Sequence, residues 1–186
     1  MSAPETPAPE PLDRLVWSEP ASRLDLHWGS YRPRLAVGLS MILAGTAFVL
    51  MTSAYSLPLL LLGSLMQPAG WAIMPSTIGR RVAVVVPVLG FTWLMLGGSG
   101  FAWCFAVPLA AWLLVRLRPL ASYAVLVLPI VSSLILAATV PDYSVDWVSI
   151  LVSSLVVAGS AWLARWIAQW SAIIAVSRQS ARTLRR

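Results

Sequence analysis

Hydrophobic positions in this chain do not alternate with polar ones. They run together in six blocks, near residues 35–54, 57–75, 82–98, 100–116, 121–140 and 147–168, each about 17–22 residues long. A helix needs roughly 20 apolar residues to cross a ~30 Å hydrocarbon layer, and continuous apolarity without in–out alternation predicts helices and not a barrel. The breaks are Ser53–Leu57, Pro75–Arg81, Gly97–Gly100, Arg116–Leu120 and Pro141–Asp146. Every second break is basic. Arg80 and Arg81 mark the second and Arg116 and Arg118 the fourth, while the others carry only Asp142 and Asp146. Arg32 and Arg34 precede the first block, and Arg178, Arg182, Arg185 and Arg186 follow the last. Because arginine is retained on the cytoplasmic side, this spacing predicts six spans with both termini in the cytoplasm. The fold class expected is an all-α, polytopic transmembrane bundle. Residues 82–115 leave 34 positions for the third and fourth spans, against 45 in 35–79 and 46 in 119–164. A short central hairpin is therefore expected, each helix about 23–26 Å long.

Composition sharpens this picture. Of 186 residues 59% are hydrophobic and 11% charged, with a mean hydropathy of +0.80. A soluble domain is usually about 25% charged, so lipid and not water must cover this surface. That excludes a secreted enzyme, a cytosolic dehydrogenase and a nucleic-acid-binding module. The net charge is +6, carried by thirteen arginines and no lysine, a usage that points to a GC-rich bacterial genome and hence to a plasma (inner) membrane. The basic residues are scattered at helix ends and not gathered on a soluble face, so nucleic acid is not the expected partner. Residues 1–34 form a Pro-rich zone with five of the seven acidic residues, too polar to bury a core and expected to be a largely disordered cytoplasmic tail. Its polar start reads as lacking a cleavable signal peptide. Residues 169–186 are expected to carry the last helix on as an Arg-rich cytoplasmic extension. Arg80, Arg81, Arg116, Arg118, Arg182, Arg185 and Arg186 are read as topology signals that also hold anionic lipid headgroups at the inner leaflet.

Chemistry-bearing residues are few. The blocks contain no lysine, histidine or carboxylate, which argues against a proton-coupled transporter and against a metal or cofactor site. Cys104 is the one cysteine and His27 the one histidine. Gln67, beside Pro68, is expected to satisfy a carbonyl freed by that proline. Small residues at Ala36, Ser40 and Ala44, and at Ser154 and Ala158, have helix-packing spacing. Tyr31, Trp71, Trp112 and Tyr123 are expected at inner helix ends as an aromatic belt, and Tyr55, Trp103, Tyr143 and Trp147 at outer ends. Trp162, Trp166 and Trp170 share one helix face, as interfacial anchors or as a platform for a cofactor or a partner helix. Asp146 precedes an apolar run and reads as a helix cap. Gly97, Gly98, Ser99 and Gly100, with Pro87 and Pro108 in the flanking helices, form the candidate functional region, since short, Gly/Pro-broken segments mark membrane binding sites.

The Gly97-Gly98-Ser99-Gly100 turn resembles the GxSG motif of rhomboid intramembrane proteases, whose serine opens the fourth helix. The resemblance implies six spans and a Ser99 nucleophile. The sixth block, however, lacks the histidine that such a serine needs as base, so the implied relative is inactive. In size the chain is similar to the substrate-capture components of energy-coupling-factor transporters. No catalytic residue is assigned. The function expected first is a non-enzymatic subunit or accessory factor of a bacterial membrane assembly, with a partner membrane subunit. The alternative is a small-molecule permease or substrate-binding module.

Overall fold

The computed structural model describes residues 20–23, 29–139 and 146–183. Among them every regular element is helical: α1 (Tyr31–Leu50), α2 (Leu57–Ile73), α3 (Ile78–Leu94), α4 (Ala106–Val115), α5 (Val127–Thr139) and α6 (Asp146–Thr183). Short 3-10 stretches at Met95–Gly97, Ser99–Phe105 and Leu120–Leu126 join or precede them. Four units have the length and apolarity to cross a membrane: Tyr31–Leu50, Ile78–Gly97, Leu120–Thr139 and Ile150–Ile174. Only 17–28% of each apolar window is buried, so most of this hydrophobic surface faces outward. Water does not solvate such a surface, and the chain is a helical membrane protein.

The tightest contact is between α1 and α2, which pack antiparallel through four glycines. A Cβ on Gly63 would lie 2.5 Å from the Gly45 carbonyl oxygen, and one on Gly70 would lie 2.8 Å from that of Gly38. Seven residues separate the glycines on each helix, two turns, so both pairs meet on one face and the backbones touch. The close face is thus Gly38, Ile42, Gly45 and Val49. The small-residue ridge expected at Ala36, Ser40 and Ala44 is turned away, with Ala36 and Ser40 exposed. Side-chain size decided the matter, because alanine and serine still hold the backbones apart and glycine does not.

The remaining helices close around this pair. Ile42, Trp71, Met74, Val84, Val88, Ala111 and Val115 join α1–α4 in one apolar cluster, and Leu109, Leu113, Val125 and Ala164 join the second half. Ser122 donates to the Ala164 carbonyl at 3.1 Å, tying the 3-10 turn before α5 to α6.

The central hairpin is not short in the way its residue count implied. α3 starts at Ile78, ahead of Arg80 and Arg81, and with its 3-10 continuation to Gly97 reaches 20 residues. The return limb spends seven residues, Ser99–Phe105, as 3-10 helix before the ten of α4. A 3-10 helix rises about 2.0 Å per residue against 1.5 Å, so that limb extends about 29 Å in total. Pro87 sits inside a continuous α3 and Pro108 in the first turn of α4, where its missing N–H costs little. Neither interrupts a helix.

The first helix starts ahead of its expected block, and the last runs on to Thr183. α1 begins at Tyr31, so Arg32 and Arg34 belong to a helix, and Pro20–Arg23 forms a 3-10 turn with Ala21 fully buried. Residues 1–19, Asp142 and Tyr143 lie outside the described residues, as do the side chains of Ser99, Asp146, Trp147, Arg178, Arg182, Arg185 and Arg186.

Gly63→Ala is expected to lower stability in detergent by about 1–3 kcal/mol through overpacking. Gly159→Ala, on α6 with nothing within 4 Å of its Cβ, is the control and should be neutral or stabilising. Thermal unfolding of the two variants side by side checks both.

Candidate functional site

One end of the bundle is an arginine collar. The C-terminal carbonyls of a helix have no partner within it, and in a membrane few waters reach them. Here arginines from neighbouring helices supply the donors. Arg34 Nε donates to the Ile73 carbonyl at 3.0 Å and Arg81 Nη1 to that of Ala72 at 2.6 Å, so α1 and α3 cap α2. Arg80 Nη1 donates to the Leu114 carbonyl at 2.8 Å, so α3 also caps α4. Positive charge at the negative end of a helix dipole adds to each bond. Arg80 and Arg81, expected as topology signals and headgroup ligands, thus also serve as structural clamps, as does Arg34.

Arg116 and Arg118 complete the collar. α4 ends in a Schellman turn: Arg118 N–H bonds the Leu113 carbonyl at 3.1 Å and Leu117 N–H that of Leu114 at 3.3 Å. Leu117 takes φ 56°, where glycine is usual. The turn directs Arg116 over the Trp112 ring, 4.9 Å from its centroid, and 5.9 Å from that of Tyr31. Arg116 is 7% exposed. Burial, then the neighbouring charges of Arg118 and Arg165, lowers its pKa to about 10. Burial likewise lowers that of Arg118, with Arg165 adding to it. Both remain charged at neutral pH, and the collar gathers residues from α1, α3, α4 and α6.

Above the collar lies a cleft of about 330 Å³ between α1, α4 and α6, lined by Leu39, Leu43, Trp112, Ser154, Ala158 and Ala161 among others. Ser154 and Ala158 thus face an opening and not a helix. Trp71, expected in an aromatic belt, is 1% exposed and forms part of the cleft wall; its indole Nε1 makes no hydrogen bond.

Behind the cleft, Gln67 joins three helices. Its Nε2 donates to Thr46 Oγ1 on α1 and to Thr92 Oγ1 on α3, both at 2.9 Å. The two hydroxyls donate in turn to the Ile42 and Val88 carbonyls, at 2.8 and 2.7 Å. The bond expected from Gln67 to a proline-freed carbonyl is not made; the amide serves as a clasp between helices. Its Oε1 is buried without a partner.

The Gly97–Gly100 region lies at the opposite end. Gly98 turns the chain at φ 101°, ψ −171°, a conformation confined to glycine. Met95, Cys104 and Phe105 pack beneath it, and Phe91 meets Trp103 edge-to-face at 5.6 Å. Ser99 opens the 3-10 stretch that leads into α4. The six candidate residues do not converge: Pro87 and Pro108 line different cavities, and neither includes the glycine turn. Among the described residues no group of three or more His, Cys, Asp or Glu is placed to hold a metal ion.

No protein-family model, curated protein or solved structure matches this chain. The sequence signal missed was Gly38/Gly45 against Gly63/Gly70, whose equal seven-residue spacing could have located the α1–α2 contact. The cleft had no signal at all, because its walls come from four separate segments.

Two outcomes are expected. Gly98→Ala should cost about 1–3 kcal/mol, since alanine is strained at that φ, whereas Gly100→Ala, with open space around its Cβ, should cost little. Gln67→Leu should cost under about 2 kcal/mol, as interhelical bonds in membranes are modest, while Gln67→Glu should cost more by losing both donors and burying an acid. Unfolding in detergent measures each.

Proposed function

We propose that this chain is a non-enzymatic subunit or accessory factor of a bacterial inner-membrane assembly, crossing the membrane six times with both termini in the cytoplasm. The arrangement of arginines supports that topology: those of the second and fourth breaks and of the α1 start gather at one end, which the positive-inside rule assigns to the cytoplasm.

The observation that carries the subunit reading is a stripe along α6. Trp162, Trp166, Trp170 and Ile173 are 72%, 53%, 53% and 62% exposed and share one face. Arg165 stands at the collar, so the stripe runs about 12 Å past it at 1.5 Å per residue. A headgroup layer is only about 5–7 Å thick on each side, which an aromatic belt suffices to fill. Apolar surface beyond that depth is the kind that another protein covers. α6 has 38 residues and a length of about 57 Å, nearly twice a hydrocarbon core. The permease reading draws on the cleft, but only Thr46 and Ser154 offer polar groups among its walls besides the indoles.

Tagged purification in mild detergent, followed by native mass spectrometry and size exclusion, tests the subunit reading. A second polypeptide at fixed stoichiometry is expected, and Trp166→Ser with Trp170→Ser should release it while leaving the melting temperature within a few degrees. A clean monomer or homo-oligomer overturns it.

A further inference from the structure

The cleft and the collar are continuous. Three of the four helices lining the cleft carry an arginine at helical spacing beyond their last cleft residue, toward the same end; α2, which contributes Trp71, does not. On α4 Arg116 follows Trp112 by four residues, and on α6 Arg165 follows Ala161 by four. On α1 Arg32 lies seven residues, two turns, before Leu39. Trp112 belongs to both regions, forming a cleft wall on one side and lying under the Arg116 guanidinium on the other. The electrostatic influence of Arg165 on Arg116 and Arg118 places all three together. An apolar slot thus opens toward Arg116, Arg118 and Arg165; Arg165 is exposed, as is Arg32 on the α1 face that carries Leu39.

We propose that this composite site binds one anionic glycerophospholipid, with an acyl chain in the cleft and the phosphate against Arg32, Arg116 and Arg165. The inference rests on the reading of the chain as a membrane bundle with the collar at a bilayer surface. Chemistry favours this occupant over others. Guanidinium groups match phosphate oxygens in forked geometry, and hydrocarbon of the surrounding bilayer is the molecule at hand to fill an apolar lateral opening. Ser154 and Ala158, small and exposed on α6, leave the width an acyl chain requires.

The test uses the full chain, purified in detergent and stripped of lipid by exchange. Native mass spectrometry follows added phosphatidylglycerol, phosphatidylcholine with the same acyl chains, and water-soluble glycerol phosphate. One phosphatidylglycerol per chain is expected at several-fold higher occupancy than phosphatidylcholine. Ala158→Trp, which fills the cleft from an exposed position, should reduce that occupancy at least tenfold. Leu155→Trp, at an exposed α6 position outside the cleft, should not. Arg165→Gln, on the surface, should remove most of the preference for the anionic headgroup without changing the melting temperature of the lipid-free protein. Equal occupancy by the two lipids overturns the proposal, as does wild-type binding by Ala158→Trp. Displacement by glycerol phosphate alone overturns it too, since the headgroup would then bind without the cleft. Loss of lipid binding with a second polypeptide still present leaves the subunit reading standing; lipid bound to a solitary chain refutes only that reading.

Discussion

Everything at the basic end of this bundle follows from one constraint: helix termini in a membrane must find hydrogen-bond partners without water. α2 and α4 both end there, and their last carbonyls are met by Arg34, Arg81 and Arg80 from other helices. Long, branched donors reach across a gap that backbone groups do not span. Because the donors come from α1 and α3, capping also fixes how these helices stand beside α2 and α4. The arginines that finish the fold at this end are those whose spacing along the chain divides its apolar blocks.

Packing inside the bundle has a different origin. Lipid tails are as apolar as the side chains, so burial alone gives the helices little reason to associate. Close approach of backbones does, and Gly38, Gly45, Gly63 and Gly70 permit it between α1 and α2. The Gln67 amide then brings α3 to that pair through Thr46 and Thr92. The first half of the chain is held by contact and polar bonds. The second half joins along a seam that closes less fully, and the cleft remains there between α1 and α6.

That asymmetry leaves a firmly packed pair on one side, and on the other an open lateral cleft near a cluster of positive charge and a long helix with an exposed tryptophan stripe. Among the described residues the hydroxyls of Thr46, Thr92, Ser122 and Ser154 bond to carbonyl oxygens, while those of Ser76, Ser153 and Ser160 are buried without a partner.

The sequence by itself determined the class of protein, a helical membrane chain, because apolar block length is a local quantity that the thickness of a bilayer reads directly. It also marked Gly98 as the turn of the central hairpin within its glycine-rich break. Four things only the tertiary structure decided. The small-residue ridge on α1 pointed outward while its glycines pointed in, since all faces of these helices are apolar and periodicity carries no orientation. Gln67 found partners 21 and 25 residues away and not the adjacent proline. The return limb of the central hairpin gained length by winding as 3-10 helix, a choice that residue counts do not reveal. The cleft exists only where segments far apart in sequence fail to meet, and no local pattern encodes a gap.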